Sequence, residues 1–325
     1  MLSGLQRYLV VAGIAAAPLA LPAAAETIYV SNEKGNSITV IDGETLEVTA
    51  TVDVGNRPRG IVLGKDHRFL YICVGDDDLI EVLDTESLKL VGTLPSGPDP
   101  ELLVISPDGK RLYVANEDDN LVTVVDLDSG EAIAEIPVGV EPEGMGVSPD
   151  GKTIVNTSET TNMAHFIDAE TFEIRGNVLV DQRPRIAEFT ADGAEVWVSS
   201  EIGGTVSVID PATLEVKKKI SFEVAGLQPE AVQPVGVRIL NDRSKAFVAL
   251  GPANRVAIVD AKTYEVLDYI LVGQRVWQLA LSPDEKRLFS SNGVSNDITM
   301  IDVERERARK SIPTGSYPWG IAIKP

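Results

Sequence analysis

One short pattern recurs along this chain and constrains its fold more than any other feature. Seven segments end in an apolar triplet followed by an aspartate, and these aspartates are Asp42, Asp84, Asp126, Asp168, Asp210, Asp260 and Asp302. Successive aspartates are 42 residues apart, except for the fifth and sixth, which are 50 apart. A period of about 40 to 45 residues fits a repeated unit of four β-strands, whereas helical repeats of this length need an apolar period of about 3.6 residues.

The third unit illustrates the predicted layout of four strands. We assign EGMGVSP to strand A, RLYVANE to strand B, LVTVVDL to strand C and AIAEIPV to strand D. Turns rich in glycine and aspartate separate the strands, for example SPDG at residues 148–151 and DSG at 128–130. Seven four-stranded blades arranged radially predict an all-β fold, a seven-bladed β-propeller.

The two ends of the repeat predict how the ring closes. The first unit starts with ETIYVSN, a strand B with no strand A before it, and the chain stops after WGIAIKP, a strand A with no successor. We therefore expect the C-terminal strand to complete the first blade. The longer fifth spacing places eight extra residues around SFEVAGLQPEAVQP, between blades five and six. An insertion in a loop costs little stability and is often functional.

The first 25 residues, MLSGLQRYLVVAGIAAAPLALPAAA, have the pattern of a cleaved secretory signal peptide. Arg7 precedes an apolar stretch that ends in small residues, and an uncleaved anchor is the alternative. The predicted organisation is a signal peptide at 1–25 and a propeller at 26–325. We expect a periplasmic protein with no membrane span after cleavage.

The net charge excludes one broad class of partner. The chain carries a formal charge of −20, and a surface this acidic repels phosphate backbones, so nucleic-acid binding is not expected. Cations, basic protein patches and locally held small anions remain compatible with it. The single cysteine, Cys73, excludes an internal disulfide and is interpreted as a small buried hydrophobic residue.

The repeats resemble a known family. The segments LYVANEDDNLVTVVD, IYVSNEKGNSITVID and VWVSSEIGGTVSVID are similar to the YVTN-family β-propeller repeat. More narrowly, the chain resembles the propeller protein associated with catabolism dependent on pyrroloquinoline quinone (PQQ). That resemblance implies a periplasmic accessory or binding role in alcohol oxidation, beside quinoprotein or transport components, and it carries over no catalytic motif.

One repeat position is predicted to line the mouth of the central channel. In most units a proline stands at the crossing from strand D to the next strand A, as Pro58 does 16 residues after Asp42. The residues on either side of this ring proline are predicted to face the channel. The candidate ligand- or partner-binding residues are Arg57, Arg59, Asp99, Glu101, Glu141, Glu143, Arg183, Arg185, Arg275, Trp277, Tyr317 and Trp319. Arginine binds carboxylates with two parallel hydrogen bonds, and tryptophan stacks on flat or cationic groups.

These residues divide in the sequence into a cationic and aromatic sector and an acidic sector. The first would suit a small anionic or aromatic ligand, PQQ among them, or a periplasmic protein partner. The alternative is that arginine and glutamate sectors merely neutralise each other. Acidic B–C loops on the same face give weak candidates for a divalent cation, namely Asp76, Asp78, Glu117 and Asp119.

The sequence favours a binding protein over an enzyme. Its two histidines, His67 and His165, fall on different elements and do not form a metal pair, and there is no CxxCH haem motif, nucleophile elbow or phosphate loop. Two alternatives stay open: a lactonase-like, metal-dependent hydrolase, and a propeller subunit of a quinoprotein dehydrogenase complex. Among structural residues, the repeat aspartates are expected in turns, and Glu188 and Arg238 are expected to pair between blades.

Overall fold

A computed structural model describes residues 26–325, which form seven four-stranded antiparallel sheets arranged as a β-propeller. The predicted signal peptide lies outside the described residues. Within the described range, no helix has the length and apolar character needed to cross a bilayer. The fold class predicted from the repeat is confirmed.

Each blade contains strands A to D from the channel outward. The A strands are β4 Pro58–Leu63, β8 Pro100–Ile105, β12 Pro142–Val147, β16 Pro184–Phe189, β20 Val237–Ile239, β24 Val276–Leu281 and β28 Pro318–Lys324. The B strands are β1 Thr27–Asn32, β5 Phe69–Val74, β9 Arg111–Asn116, β13 Thr153–Ser158, β17 Val196–Ser200, β21 Ala246–Ala249 and β25 Arg287–Asn292.

The outer half of each blade is equally regular. The C strands are β2 Ser37–Asp42, β6 Leu79–Asp84, β10 Leu121–Asp126, β14 Met163–Asp168, β18 Thr205–Asp210, β22 Arg255–Val259 and β26 Asp297–Asp302. The D strands are β3 Val48–Asp53, β7 Lys89–Pro95, β11 Glu131–Pro137, β15 Ile174–Leu179, β19 Glu215–Ser221, β23 Val266–Leu271 and β27 Arg307–Pro313. Two short 3-10 helices are Gly75–Asp77 and Pro229–Ala231.

The strand A assigned to the third unit from its sequence is wrong by one repeat. The segment EGMGVSP lies in β12, which pairs with β13 in the fourth blade. The inner strand of the third blade is β8, which pairs with β9. The reason is the crossing at the end of every D strand, which carries the chain into the next blade before a new inner strand begins.

The core lies between neighbouring blades, because each sheet packs both of its faces against another sheet. Strand β17 is buried along its whole length, and its Trp197 is fully buried. The outermost strand of the same blade, β19, is exposed at all but one position. Because inner strands are buried on both faces, their sequences are continuous apolar runs, whereas those of the outer strands are not.

The predicted ring closure is confirmed. Strand β28 pairs antiparallel with β1, with Thr27 opposite Lys324 and Ile28 opposite Ile323. The first blade therefore has the strand order β28-β1-β2-β3.

The insertion between the fifth and sixth blades is partly built into the core. Phe222, Val224 and Val232 are buried and pack in the cluster between these blades. Exposed residues of the insertion border a groove of about 760 Å³, whose walls also include Ile202 and Leu227.

Three smaller predictions from the sequence are confirmed. Arg238 Nη1 lies 3.0 Å from Glu188 Oε2, so these residues pair between adjacent blades. Cys73 is buried and free. The repeat aspartates accept backbone hydrogen bonds in the C–D turns, as Asp42 Oδ1 does from Thr45 N–H at 2.7 Å.

Candidate binding site at the channel mouth

The residue before the ring proline has an unusual backbone in most blades. Its φ is positive, between 48° and 58°, in six of the seven units. These residues are Arg57, Asp99, Glu141, Arg183, Arg275 and Tyr317. A positive φ is uncommon for residues other than glycine. The sharp turn places both residues that flank the proline at the start of an inner strand.

A side chain from the preceding blade holds each of these turns. Asn120 Oδ1 accepts the backbone N–H of Glu141 at 3.1 Å, and Asn162 Oδ1 accepts that of Arg183 at 3.1 Å. Six units have asparagine or aspartate at this position, and the fifth has Gly204, after which the insertion follows. Sequence reasoning missed this position, although its fixed distance of six residues before each repeat aspartate was a usable signal.

The mouth residues predicted from the repeat all begin or precede an inner strand, and the B–C turns reach the same face. Glu159 N–H, for example, donates to Glu141 O, and Glu201 N–H donates to Arg183 O, each at 2.8 Å. The residues on either side of the ring proline form two rings at the mouth, and the residue that opens each B–C turn forms a third ring. Its members are Glu33, Gly75, Glu117, Glu159, Glu201, Gly251 and Gly293.

The arginines of the second blade pair with carboxylates of three blades. Arg57 Nη1 lies 3.1 Å from Glu101 Oε1 and also forms ion pairs with Asp76 and Asp99. Arg59 forms an ion pair with Glu101, and its Nε lies 3.2 Å from Glu33 Oε1. Glu101 is fully buried, so the two guanidinium groups supply the positive charge that keeps it ionised.

A second cluster joins the fourth, fifth and seventh blades. Arg183 Nε lies 2.8 Å from Glu159 Oε2, and Arg185 also forms an ion pair with Glu159. Glu201 Oε1 lies 2.5 Å from Arg275 Nη2. Arg185 is only 2% exposed, so its charge depends on these carboxylates. Burial lowers the pKa of Arg275, although Glu201 opposes that change.

These pairs correct the interpretation of separate cationic and acidic sectors. Arginines at the mouth reach across blade boundaries and contact the carboxylates, so the local charges are largely compensated. No arginine of the predicted set is left facing the mouth without an acidic partner among residues 26–325. The alternative of mutual neutralisation therefore describes most of this surface, with one exception at the third and fourth blades.

An aromatic group occupies the rest of the mouth. The guanidinium carbon of Arg275 lies 3.9 Å from the ring centre of Trp277, and Lys34 Nζ lies 3.7 Å from that of Tyr317. The rings of Trp277 and Trp319 are 6.5 Å apart. Both indole N–H groups are buried without a hydrogen-bond acceptor, which costs about 1–3 kcal/mol for each such group.

Residues after the ring proline also contact one another across the channel. Arg185 in the fifth blade lies 5.6 Å from the ring of Trp277 in the seventh, and Arg59 lies 5.6 Å from the ring of Trp319. Arg59 Nη1 is 4.0 Å from Glu143 Oε2. Arg185 and Trp277, like Arg59 and Glu143, therefore approach each other from blades that are not adjacent.

Glycine in the third ring makes room for large side chains. A Cβ atom on Gly293 would lie 2.6 Å from Trp277 Nε1, and one on Gly75 would lie 2.5 Å from Arg57 Nη2. Where the third ring has glutamate instead, as at Glu33 and Glu159, the carboxylate pairs with arginine.

Three glutamates near the third and fourth blades have shifted pKa values. Burial raises the pKa of Glu117 to about 8, with Glu101 adding to the shift. Burial also raises the pKa of Glu143 to about 7, although Arg185 opposes it. Burial alone would raise the pKa of Glu101 as well, but Arg59, a hydrogen bond with Glu117 and Arg57 together outweigh it, and the pKa is lowered. Perturbed carboxyl groups in a concave site are typical of functional positions.

The weak metal candidates separate in the structure. Carboxylate oxygens of Asp99, Glu101 and Glu117 lie within 4.8 Å of one another. Of the four candidates, Glu117 alone belongs to this group; Asp76 pairs with Arg57, and Asp78 Oδ1 accepts the N–H of Asp99 at 3.1 Å. Asp119 lies on the same B–C turn as Glu117, and its Oδ1 atom is buried without a hydrogen bond.

The fold and this charged mouth define the class of protein as a closed, seven-bladed β-propeller with an elaborated channel entrance. No family model matches the chain, and no curated protein matches it. Among solved structures, hydrazine synthase of Kuenenia stuttgartiensis superposes with a TM-score of 0.79 at 24% identity, over 85% of this chain and 92% of that chain.

Two further solved structures are similar. A functionally unknown protein from Desulfotomaculum acetoxidans DSM 771 has a TM-score of 0.75 at 16% identity, over 91% of this chain and 98% of that one. Dihydro-heme d1 dehydrogenase NirN in complex with DHE has a TM-score of 0.68 at 16% identity, over 91% of this chain and 74% of that one. At these identities the likeness establishes the propeller fold alone.

Proposed function

We propose that this protein is a non-enzymatic binding propeller of the bacterial periplasm, whose channel mouth holds a small ligand or a protein partner. We further propose that it serves PQQ-dependent alcohol catabolism as an accessory protein. The resemblance of its repeats to the propeller associated with that catabolism supports the second part. The chemistry of the mouth supports the first.

The observation that carries the binding role is the density of buried charge at one rim of the channel. Glu101, Glu143, Arg185, Glu159 and Glu201 are each at most 5% exposed. Buried ion pairs contribute little net stability, because desolvation offsets the attraction between the charges. A propeller could close its channel with apolar side chains, so this concentration of charge favours recognition over stability.

The mouth does not fit PQQ itself as a bound cofactor. A planar polyanion needs cationic groups that are free to accept its carboxylates, and the arginines here already contact protein carboxylates. We therefore place the quinone on the partner, a quinoprotein, and assign this chain no redox step. A transport component remains the other partner compatible with the proposal.

The test is native mass spectrometry of the protein extracted gently from the periplasm, which reports any bound ligand, ion or subunit. We expect one defined additional mass and a mature chain that begins near Glu26. Arg183→Glu and Tyr317→Ala should release the bound species while preserving the fold. Lys286→Glu is the control, because its side chain is 79% exposed and lies in an A–B turn on the opposite face. Recovery of the bare chain alone would refute the proposal.

A second candidate is a lactonase-like, metal-dependent hydrolase, which the carboxylate group of Asp99, Glu101 and Glu117 supports. Against it, Arg57 contacts both Asp99 and Glu101, so a divalent ion would have to share these ligands with a guanidinium group. Lactone turnover that disappears on chelation and returns with added metal would favour this function. Co-purification with a subunit that carries a redox centre would instead favour a role within a quinoprotein dehydrogenase complex.

A further inference from the structure

At two boundaries between blades, the third-ring glutamate of one blade contacts an arginine beside the proline of the following blade. Glu33 meets Arg59 in this way, and Glu159 meets Arg183 and Arg185. At these two boundaries one carboxylate is therefore matched by an Arg-Pro-Arg segment.

The boundary between the third and fourth blades breaks this pairing. Its third-ring residue is Glu117, and the segment that follows is Glu141-Pro142-Glu143. Three carboxyl groups thus occupy the positions that hold one carboxylate and two guanidinium groups elsewhere. Among the described residues, no lysine, arginine or histidine nitrogen lies within 4.0 Å of the Glu117 carboxylate.

The neighbouring groups do not compensate for the missing cation. Arg57 and Arg59 form ion pairs with Glu101, and the charge of Arg59 only partly offsets the raised pKa of Glu117. Glu141 accepts a hydrogen bond from the Thr160 hydroxyl, which is uncharged. The carboxyl groups here therefore outnumber the positive charges available to them.

Glu143 provides independent evidence of an incomplete site. It is 1% exposed, and its Oε1 atom is buried and accepts no hydrogen bond. Arg185 Nη2 lies 3.1 Å from that oxygen, but the contact lacks hydrogen-bond geometry. Arg185 also forms ion pairs with Glu159 and Glu201. A buried carboxylate oxygen without a donor is costly unless a ligand supplies one.

We propose that the boundary between the third and fourth blades binds one guanidinium or ammonium group of an external ligand or protein partner. This group takes the place that an arginine side chain holds at the two equivalent boundaries, and it contacts Glu117 and Glu141 with Glu143 beneath. The inference rests on the proposed role of the mouth as a binding site, and it assigns the chemistry of the group that is bound.

A monovalent cation fits this boundary better than a calcium ion. Calcium takes six to eight oxygen ligands, whereas Asp99 and Glu101 already contact Arg57. The two equivalent boundaries supply the internal precedent, since in each a guanidinium group binds the third-ring glutamate. The raised pKa of Glu117 is consistent with a proton that occupies the site until the cation displaces it.

The test is isothermal titration calorimetry of the mature protein with L-argininamide, with calcium chloride as a separate titrant. We expect argininamide to bind and to release a proton near pH 7, measured as a heat that depends on the ionisation enthalpy of the buffer. Glu117→Gln should weaken binding at least tenfold. Glu230→Gln should bind like the wild type, since Glu230 is exposed on the insertion.

Glu141→Arg is the decisive variant, because it copies the arrangement of Arg183 beside Glu159. We expect this variant to fold, to gain thermal stability from the new ion pair with Glu117 and to lose argininamide binding. The inference is overturned if argininamide binds neither protein, if Glu141→Arg binds it as well as the wild type does, or if calcium alone binds.

Native mass spectrometry of the variants distinguishes the binding role of the mouth from the inference about the cation. It also distinguishes a free ligand from a protein side chain as the source of that cation. If the bound species leaves Arg183→Glu but stays on Glu117→Gln, the mouth is a binding site and the inference about its cation is wrong. A small amine as the bound species assigns the cation to a free ligand, and a protein displaced by argininamide assigns it to a basic side chain.

Discussion

Replacing Glu117 by glutamine gives a quantitative test of how the mouth is charged. The pKa of this carboxyl is about 8 in the folded protein, against an ordinary value of 4.5. The folded state therefore holds a proton that the unfolded state releases between these two values. By linkage, this group lowers the stability of the wild type as the pH rises from about 5 to above 8. Glutamine keeps a donor for Glu101 and does not titrate.

The magnitude follows from the size of the pKa change. Each pKa unit corresponds to about 1.4 kcal/mol, so the change sets an upper limit of about 5 kcal/mol above pH 8. Solvent near this partly exposed side chain reduces the effect, and we expect Glu117→Gln to stabilise the protein by about 1–3 kcal/mol at pH 8.5. At pH 5, only slightly above the ordinary value of 4.5, little of this linked loss of stability has accumulated, and the difference should fall within about 0.5 kcal/mol.

Urea denaturation followed by tryptophan fluorescence at pH 5 and pH 8.5 measures this difference. The matched control is Glu159→Gln, at the same ring position in the next blade. Because Glu159 contacts both Arg183 and Arg185, its neutralisation should destabilise the protein at both pH values. A Glu117→Gln effect that is independent of pH, or destabilising at pH 8.5, would refute the reasoning.

Four further outcomes are expected. Removal of residues 316–325 takes β28 from the first blade and should abolish the cooperative thermal transition in circular dichroism; a retained melting temperature would contradict the closure. Arg238→Ala and Glu188→Ala should each destabilise more than the double variant, measured as a thermodynamic cycle; additive losses would show that the pair is not coupled. Backbone and side-chain hydrogen bonds lower the pKa of Asp84 to about 2, so its stabilisation is complete above about pH 4 and lost towards pH 2; Asp84→Asn should match the wild type in strong acid and fall below it at pH 7. Burial lowers the pKa of His165, so acidification below about pH 6.5 should destabilise the wild type more than His165→Gln in parallel melts; equal losses would remove histidine as the cause.

Much of the mouth was predictable because its frame is set by the repeat. Pro58 and its equivalents mark the first residue of an inner strand, so the residues beside them could be placed at the channel without a structure. Their partners could not be inferred in the same way. The contacts of Arg59 with Glu101 and Glu33 join three different blades, and only the angle between blades decides which side chains meet.

The incorrect strand A of the third unit has the same origin. A repeat fixes the order of strands along the chain but not where one blade ends and the next begins. The crossing after each D strand decides that boundary, and its geometry depends on a left-handed residue and an asparagine side chain from the preceding blade. Glu141 and Asn120 are 21 residues apart in sequence, so the recurrence of asparagine in the repeat marks the position but does not reveal which residue it contacts.

The sequence by itself determined the number of blades, the order of strands along the chain, the closing strand and the ring of residues at the mouth. These follow from local rules, namely the period, the alternation of apolar residues and the fixed φ of proline. The tertiary structure decided how charge is distributed in that ring. It matched Glu33 and Glu159 with arginines and left Glu117 without one, because electrostatic compensation depends on distances across blade boundaries and not on the order of residues.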